Sequence, residues 1–202
     1  MLREEKKARA RAAMADAAAG LFAEHGYDNV AMTQVARAAG VSEQTLYNYF
    51  PTKESLVFDL AGTFEETMLT TLTARAPGTG VVDAYGHWLE TFLLGPAARR
   101  AVETPGGMVR QIAVSNTLHR ALLDLAHRVA TGLAGRLEQV EGYPPANATA
   151  LADALVAVFV RTVESLSTAP APRAIPAVRR RTRAAIEALR PLQRDPGPPL
   201  RR

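Results

Sequence analysis

An all-α fold is predicted for this 202-residue chain by three observations. Apolar side chains recur at steps of three and four through most of the sequence, the spacing that lines one face of a helix. No sustained period-two alternation bounded by hairpin turns argues for strands. Glycine and proline stand mostly between the periodic stretches, where they punctuate rather than interrupt. The length suffices for a sizeable core but is short for several independent domains. The expected organisation is a three-helix head over residues 1–51, a helical body over 52–190 joined to it by a long helix, and a tail over 191–202.

The first helix is expected from Glu4 to His25, with Met14, Ala18, Leu21 and Phe22 turned inward and Gly26 ending it. A second, short pattern runs from Thr33 to Ala39, where Val35, Ala36 and Ala39 share a face small enough for another helix to cross closely. Gly40 breaks it, because glycine adopts positive φ at little steric cost and so caps a helix and turns the chain. Val41 is expected beneath the turn. Ser42 then serves as an N-cap and Glu43 adds negative charge to the next first turn. Leu46, Tyr49 and Phe50 follow at helical spacing and face inward, which leaves Glu43, Gln44, Tyr47 and Asn48 outward. Two short helices about a glycine turn at this spacing make a helix-turn-helix, the motif that lays its second helix in the DNA major groove.

The match extends beyond the turn. LFAEHGYDNV at the end of the first helix, the pair Val35-Ala36, AGVS at Ala39 to Ser42, TLYNYF at Thr45 to Phe50 and KESL at Lys53 to Leu56 occur together. On these residues the stretch from Ala12 to Val57 resembles the DNA-binding domain of the TetR family of bacterial transcription regulators. Two positions depart from that family's pattern. Ala31 stands where members commonly carry Ser or Thr, so Thr33 or the backbone must supply the missing cap. Gln44 stands where many have Gly, and its amide suits adenine N6 and N7. The base-reading candidates are therefore Gln44, Thr45 and Asn48, with Thr33 and Glu43 nearby. Tyr47, Tyr49 and Lys53 match the family's aromatic and lysine positions, which the resemblance assigns to phosphates.

The connecting helix is expected to begin near Thr52 or Lys53 and to carry Leu56, Val57, Leu60, Phe64, Met68 and Leu72. After the loop Ala76 to Gly80, Val82 to Leu94 resumes with Tyr85, Trp88, Leu89 and Phe92; Gly95-Pro96 and Thr104 to Gly107 interrupt again. The clearest body helix is the stripe Leu118, Leu122, Leu125, Val129, Leu133, Leu137 and Val140, closed by Gly142 to Pro145. Within Asn147 to Ser167, the run ALVAVFV at Ala154 to Val160 is apolar on all sides and needs cover on more than one face. Beyond the proline-rich break from Thr168 to Pro176, a last helix sets Val178, Ile186 and Leu189 opposite Arg179, Arg180, Arg181 and Arg183, read as a solvated face. The tail Pro191 to Arg202 is too proline-rich to continue it and too poor in apolar residues to offset its ordering entropy, so it is expected to be mobile.

The resemblance implies a homodimer paired through the last two helices, about 147–190, and a pocket in the body for an unidentified small molecule. Candidate lining residues are Phe64, Met68, Trp88, Phe92 and Met108, with Gln111, Asn116, Arg161 and Glu164 as polar readers; Arg161 and Glu164 are also placed to pair with each other. It further implies a repressor bound to an inverted-repeat operator.

Charge distribution says more than the net +4. Residues 1–60 carry −1, 61–168 carry −2 and 169–202 carry +7. The positive groups of the head are local: Arg3, Lys6, Lys7, Arg9 and Arg11 at the start of the first helix, and Lys53 just beyond the helix that follows Ser42. They lie either over phosphates flanking the groove or on a solvated helix end. The absence of cysteine removes disulfides, thiolate metal sites and a thiol nucleophile. His119 and His127 lie about two turns apart with Asp124 between, too far for a chelating pair. Neither a phosphate-binding glycine loop nor a nucleophile with its base stands out, so no enzyme activity, metal or cofactor is expected. The start MLREEKKARAR is unlike a secretory signal and no uninterrupted apolar run reaches membrane-spanning length, which gives a cytoplasmic expectation. Two alternatives remain open: a bundle enzyme of unknown chemistry, and an architectural DNA-binding factor whose body only dimerises.

Overall fold

The computed structural model describes residues 2–58, 61–95, 108–169 and 174–193. Among these residues it is helical with short turns and no strand. Helix α1 (Leu2–His25) ends where Gly26 takes φ 78°, and a 3₁₀ turn over Tyr27–Asn29 leads to α2 (Met32–Ala38). Of the two substitutes expected for the hydroxyl missing at Ala31, the backbone serves: the Gln34 N–H donates to the Ala31 carbonyl at 3.1 Å, while Gln34 Oε1 accepts from the Ala31 N–H at 2.7 Å. Gly40, at φ 67°, closes α2 with the paired bonds of a Schellman turn, Val41 N–H to the Ala36 carbonyl and Gly40 N–H to that of Arg37. Helix α3 (Glu43–Tyr49) follows, its Ser42 Oγ accepting from the Thr45 N–H at 3.1 Å. Met14, Ala18, Phe22, Val35, Ala36, Leu46 and Phe50 form the core of this head, all buried as the spacing predicts.

The expected long connector is divided. Helix α4 (Lys53–Val57), capped reciprocally by Thr52 and Ser55, stops at Phe58, whose φ −97° and ψ 31° leave the helical region; α5 begins anew and spans Ala61–Thr73. Apolar steps of three and four continue across the break, which is why periodicity alone does not reveal it.

In the body, α6 (Val81–Phe92) packs on α5, while α7 (Met108–Val114), α8 (Asn116–Glu141) and α10 (Ile175–Leu189) surround α9 (Pro145–Ser167). The α8 stripe is buried from Leu118 to Leu137, but Val140 is 58% exposed. Gly142 turns the chain at φ 66°, and Tyr143, not Val140, is the buried residue at that end. Helix α9 has the length and hydropathy to cross a membrane. Its Leu155, Val156, Phe159, Val160 and Val163 are instead buried among neighbouring helices, with Ala157 exposed and Ala154 and Val158 half-buried on the other side.

Two charged or polar features differ from the sequence reading. Arg179 and Arg183 are not merely solvated: both pair with Glu90 of α6, at 3.1 and 2.7 Å. The tail's first residues, Pro191–Gln193, are placed. Gln193 Oε1 accepts from the Val82 N–H at 3.2 Å, giving α6 the side-chain cap that its N-cap residue, Gly80, cannot supply. Residues 194–202 lie outside those described, as do Pro96 and Thr104 to Gly107.

The turn at Gly40 sets the first test. A β-carbon there meets nothing within 4 Å, so only the backbone resists substitution. Gly40→Ala is expected to destabilise the fold by about 1 kcal/mol, and Gly40→Asn by less, since asparagine tolerates left-handed backbone better. Urea midpoints followed by circular dichroism should rank Gly, Asn, Ala in that order.

Candidate nucleic-acid interface

The surface of α3 is polar and accessible because Leu46 and Phe50, both fully buried, fix its other side. Glu43, Gln44, Tyr47 and Asn48 are exposed; Thr45 and Tyr49 are half-buried, and Thr33 is exposed on the first turn of α2. Gln44 Nε2 donates to Asn48 Oδ1 at 3.1 Å, so two candidate base readers are held side by side. Gln44 Oε1 and its second Nε2 hydrogen remain for adenine. Thr45 Oγ1 lies 2.7 Å from Ser42 Oγ, which ties its hydroxyl to the cap at the helix start. Tyr47 keeps 43% of its surface exposed beside these groups.

Basic residues divide into held and open groups. Arg11 turns inward: Nη1 donates to the Tyr49 carbonyl at 3.0 Å and the guanidinium lies 4.6 Å from the centre of the Phe50 ring. It thus caps the C-terminus of α3, where a cation also suits the helix dipole. Lys6, Lys7 and Arg9 are exposed further up α1. Arg37, on the last turn of α2, is exposed as well and did not stand out in the sequence, being a single charge in an otherwise uncharged helix.

Lys53 starts α4 with its ammonium 4.1 Å from the centre of the Tyr27 ring. Partial burial lowers its pKa, opposed by the carboxylates of Asp28 and Glu54, which favour the charged form. Burial also pushes the Tyr27 hydroxyl well above the usual phenol range, reinforced by Glu54. Tyr27 is in turn attached to the body. Its N–H donates to Gln111 Oε1 at 3.1 Å, and Gln111 Nε2 donates to the Phe22 carbonyl at 3.0 Å. Next to it, Ser115 Oγ donates to Asp28 Oδ1 at 2.9 Å and accepts from the Leu118 N–H at 3.2 Å.

In the body, Trp88 is the hub of an aromatic cluster. It stacks on Phe92 at 5.3 Å and meets Tyr85 at 5.4 Å and Phe159 at 6.4 Å, while its Nε1 donates to Thr67 Oγ1 at 3.4 Å. Met68, beside Thr67, is fully buried. Trp88 and Phe92 therefore come together as the sequence suggests, with Met68 on the buried face of α5; the side chains of Phe64 and Met108 lie outside those described. The four polar candidates lie elsewhere. Gln111 uses both ends of its amide on the head, and Asn116 is exposed on the first turn of α8. Arg161 is 84% exposed and pairs with Glu164 at 3.6 Å, because the buried face of α9 falls on Phe159, Val160 and Val163. The polar group that is buried with the aromatics is the Tyr85 hydroxyl, fully enclosed and without a hydrogen-bond partner among the described residues; burial alone pushes its pKa far up. No local pattern marks it in the sequence.

Residues 15–60 match the model of the bacterial regulatory proteins of the tetR family. Over 147 residues, 70% of this chain, it is 29% identical to the HTH-type transcriptional regulator TcmR of Streptomyces glaucescens, and the matched region spans 59% of that protein. The chain thus spans about three-fifths of the length of this relative, short of a full-length correspondence. Two solved structures share the fold over head and body together. NalD, the secondary repressor of the MexAB-OprM multidrug efflux pump in Pseudomonas aeruginosa, superposes with a TM-score of 0.54 at 18% identity over 88% of this chain and 96% of its own. AlkX, a TetR family repressor from Dietzia implicated in biodegradation of n-alkanes, does so at 0.53 and 20% identity over 90% and 98%.

Arg11 and Lys53 should separate in solution. Since the Arg11 guanidinium is committed to Tyr49 and Phe50, Arg11→Ala is expected to weaken DNA binding through a looser α3, with the salt dependence unchanged within about half a charge. A fall in the salt slope as large as that of a lost phosphate contact would assign Arg11 to DNA instead.

Proposed function

The chain belongs to the TetR family of bacterial regulatory proteins, and on that premise we propose that it is a homodimeric cytoplasmic repressor, released from an inverted-repeat operator by a small-molecule ligand. The observation that carries the DNA-binding reading is the construction of α3. One side is locked by Leu46 and Phe50, and the other presents a hydrogen-bonded Gln44–Asn48 pair flanked by Glu43, Thr45 and Tyr47. Gln44, Thr45 and Asn48 read base edges, with Thr33 and Glu43 adjacent. Tyr47, Tyr49 and Lys53 hold phosphates, fixing register without carrying sequence information.

Dimerisation runs through α9 and α10. Ala154, Ala157 and Val158 are left exposed or half-buried on α9, and an open groove of about 270 Å³ at Ala157 and Val158 is lined also by Thr162, Ser165, Thr182 and Ala185, with Arg161 and Arg181 at its edge. Small side chains there permit the close approach of a two-fold mate. The ligand reading rests on Tyr85. A buried hydroxyl left unpaired costs about 1–3 kcal/mol, which a body serving only dimerisation gains nothing by keeping. Beside Met68, Trp88, Phe92 and Phe159 it suits a ligand that is largely apolar and carries one hydrogen-bonding group. By linkage, a ligand that weakens DNA binding is itself bound more weakly in the presence of DNA, by the same factor.

Fluorescence anisotropy with DNA from upstream of its own and neighbouring genes, against excess random duplex at physiological salt, tests the reading directly. Competitor-resistant binding of two chains to one fragment is expected. Lys53→Ala should lower the salt slope by about one and weaken all sites alike, whereas Gln44→Ala should relax preference at one base pair by about 1–3 kcal/mol. Parental binding by both variants would refute this docking. For the dimer, Ala157→Glu places a charge in the small-residue face; sedimentation should show monomers that bind a single half-site weakly, and an intact dimer would relocate the interface.

A further inference from the structure

The structure joins the body to Lys53 by a route separate from the covalent connector. Gln111 is 94% buried and spends its amide on two head backbone groups that lie on either side of the α1 terminus, the Phe22 carbonyl and the Tyr27 N–H. One residue further along, Asp28 accepts from Ser115 at the start of α8. The corner between α7 and α8 therefore grips two consecutive residues of the 3₁₀ turn. Those two residues are also the surroundings of Lys53: the Tyr27 ring lies under its ammonium, and the Asp28 carboxylate acts on its charge. Rings 27 and 22 meet at 5.1 Å, and Tyr27 is only 2% exposed, so the platform beneath Lys53 has little freedom of its own.

We propose that Gln111 and Ser115 are positioning residues for the DNA contact at Lys53, acting through Tyr27 and Asp28 although neither touches DNA. This rests on the reading of Lys53 as a phosphate contact. A cation over a ring face is held where the ring is. A shift of the α7–α8 corner drags the Tyr27 backbone and the Asp28 side chain with it, and the ammonium moves off the line of the phosphate. Because α4 stops at Phe58, a displacement in the body reaches Lys53 through these hydrogen bonds without having to run down an unbroken helix. The joint is directional: an amide rotated out of line loses both bonds together and leaves the Tyr27 N–H without its acceptor, while the Phe22 carbonyl keeps only the Gly26 N–H.

A double-mutant cycle on the full chain tests this, read as binding to a mixed-sequence duplex over a range of salt. Gln111→Leu keeps the volume and removes both bonds. It is expected to weaken binding by roughly tenfold, the scale of coupling between residues of one network, and to lower the salt slope by about one. In a Lys53→Ala background the same change should alter affinity less than about twofold, since the contact it positions is already gone. Equal losses in both backgrounds, or a parental salt slope for Gln111→Leu with Lys53 intact, would reduce Gln111 to a structural role and overturn the proposal. Should Lys53→Ala alone leave the slope at the parental value, the phosphate reading falls instead. Ser115 gives a second arm that spares the fold. Ser115→Asp keeps a cap for Leu118 but faces Asp28 with like charge and should reproduce the loss of slope; Ser115→Asn keeps both cap and donor and should bind as the parent does. Parental slopes for both, with Gln111→Leu unfolded by circular dichroism, would also overturn it.

Discussion

The buried amide of Gln111 is the interaction on which the relation of head to body depends. Its neighbours at the joint are backbone groups: if the amide withdrew, the Tyr27 N–H would lose its acceptor in a dry environment, while the Phe22 carbonyl would keep only the Gly26 N–H. An unpaired buried donor or acceptor costs about 1–3 kcal/mol, and the Tyr27 N–H is such a donor. Apolar packing alone would let the end of α1 slide over α7, since burial is indifferent to direction. The hydrogen bonds are not. They select one angle between the head and the α7–α8 corner, and Ser115 repeats the selection one residue later through Asp28.

The same contrast explains how much could be read from the chain. The head was legible because its determinants are close in sequence: Gly40 turns, Ser42 caps, and Leu46 and Phe50 sit one helical turn apart. The all-α body followed from the periodicity of α8 and from Trp88 and Phe92 four residues apart on α6. What escaped lies across long separations. Arg11 meets Tyr49 across 38 residues, Gln111 meets Tyr27 across 84, Arg183 meets Glu90 across 93 and Gln193 meets Val82 across 111. Nothing in the local pattern names these partners, so Arg183 reads as solvated, Arg11 as solvated or facing phosphate, and Gln111 as a polar reader of a pocket. The break at Phe58 is a different failure. Neither glycine nor proline marks it, and the apolar steps from Leu56 to Leu72 read on as though the helix were continuous. Tyr85 was missed as a functional candidate because an isolated tyrosine in an amphipathic helix is indistinguishable from core until its hydroxyl is found without a partner.

Helices α6 and α10 show how weak and strong terms divide the work. Arg179 and Arg183 on Glu90, and Arg190 on Asp83 at 2.8 Å, are exposed or half-exposed ion pairs, which solvent screens and which add little to stability. They set register more than they set stability. Close packing supplies the larger part. A β-carbon at Gly86 would stand 2.8 Å from Ile186 Cγ2, so the glycine is what lets α10 lie this near to α6. The Thr162–Thr182 contact at 2.9 Å, both residues buried, fixes α10 on α9 in the same way.

This arrangement decides where a change of shape can be expressed. Helix α10 is held to α6, which bears the aromatic cluster, and to α9, which bears the small-residue face; well-packed helices of this kind shift between discrete arrangements rather than deform continuously. The aromatic cluster and the proposed dimer face therefore belong to one block. The head meets that block through a short α4, a break at Phe58 and the bonds at Gln111 and Ser115, where fewer contacts are made and each depends on angle. A small rotation of the α7–α8 corner within the body alters little apolar burial but carries three hydrogen bonds out of line. On the proposed reading, the orientation of the head that DNA would sense is governed at that corner, by residues far in sequence from the helix that faces the groove.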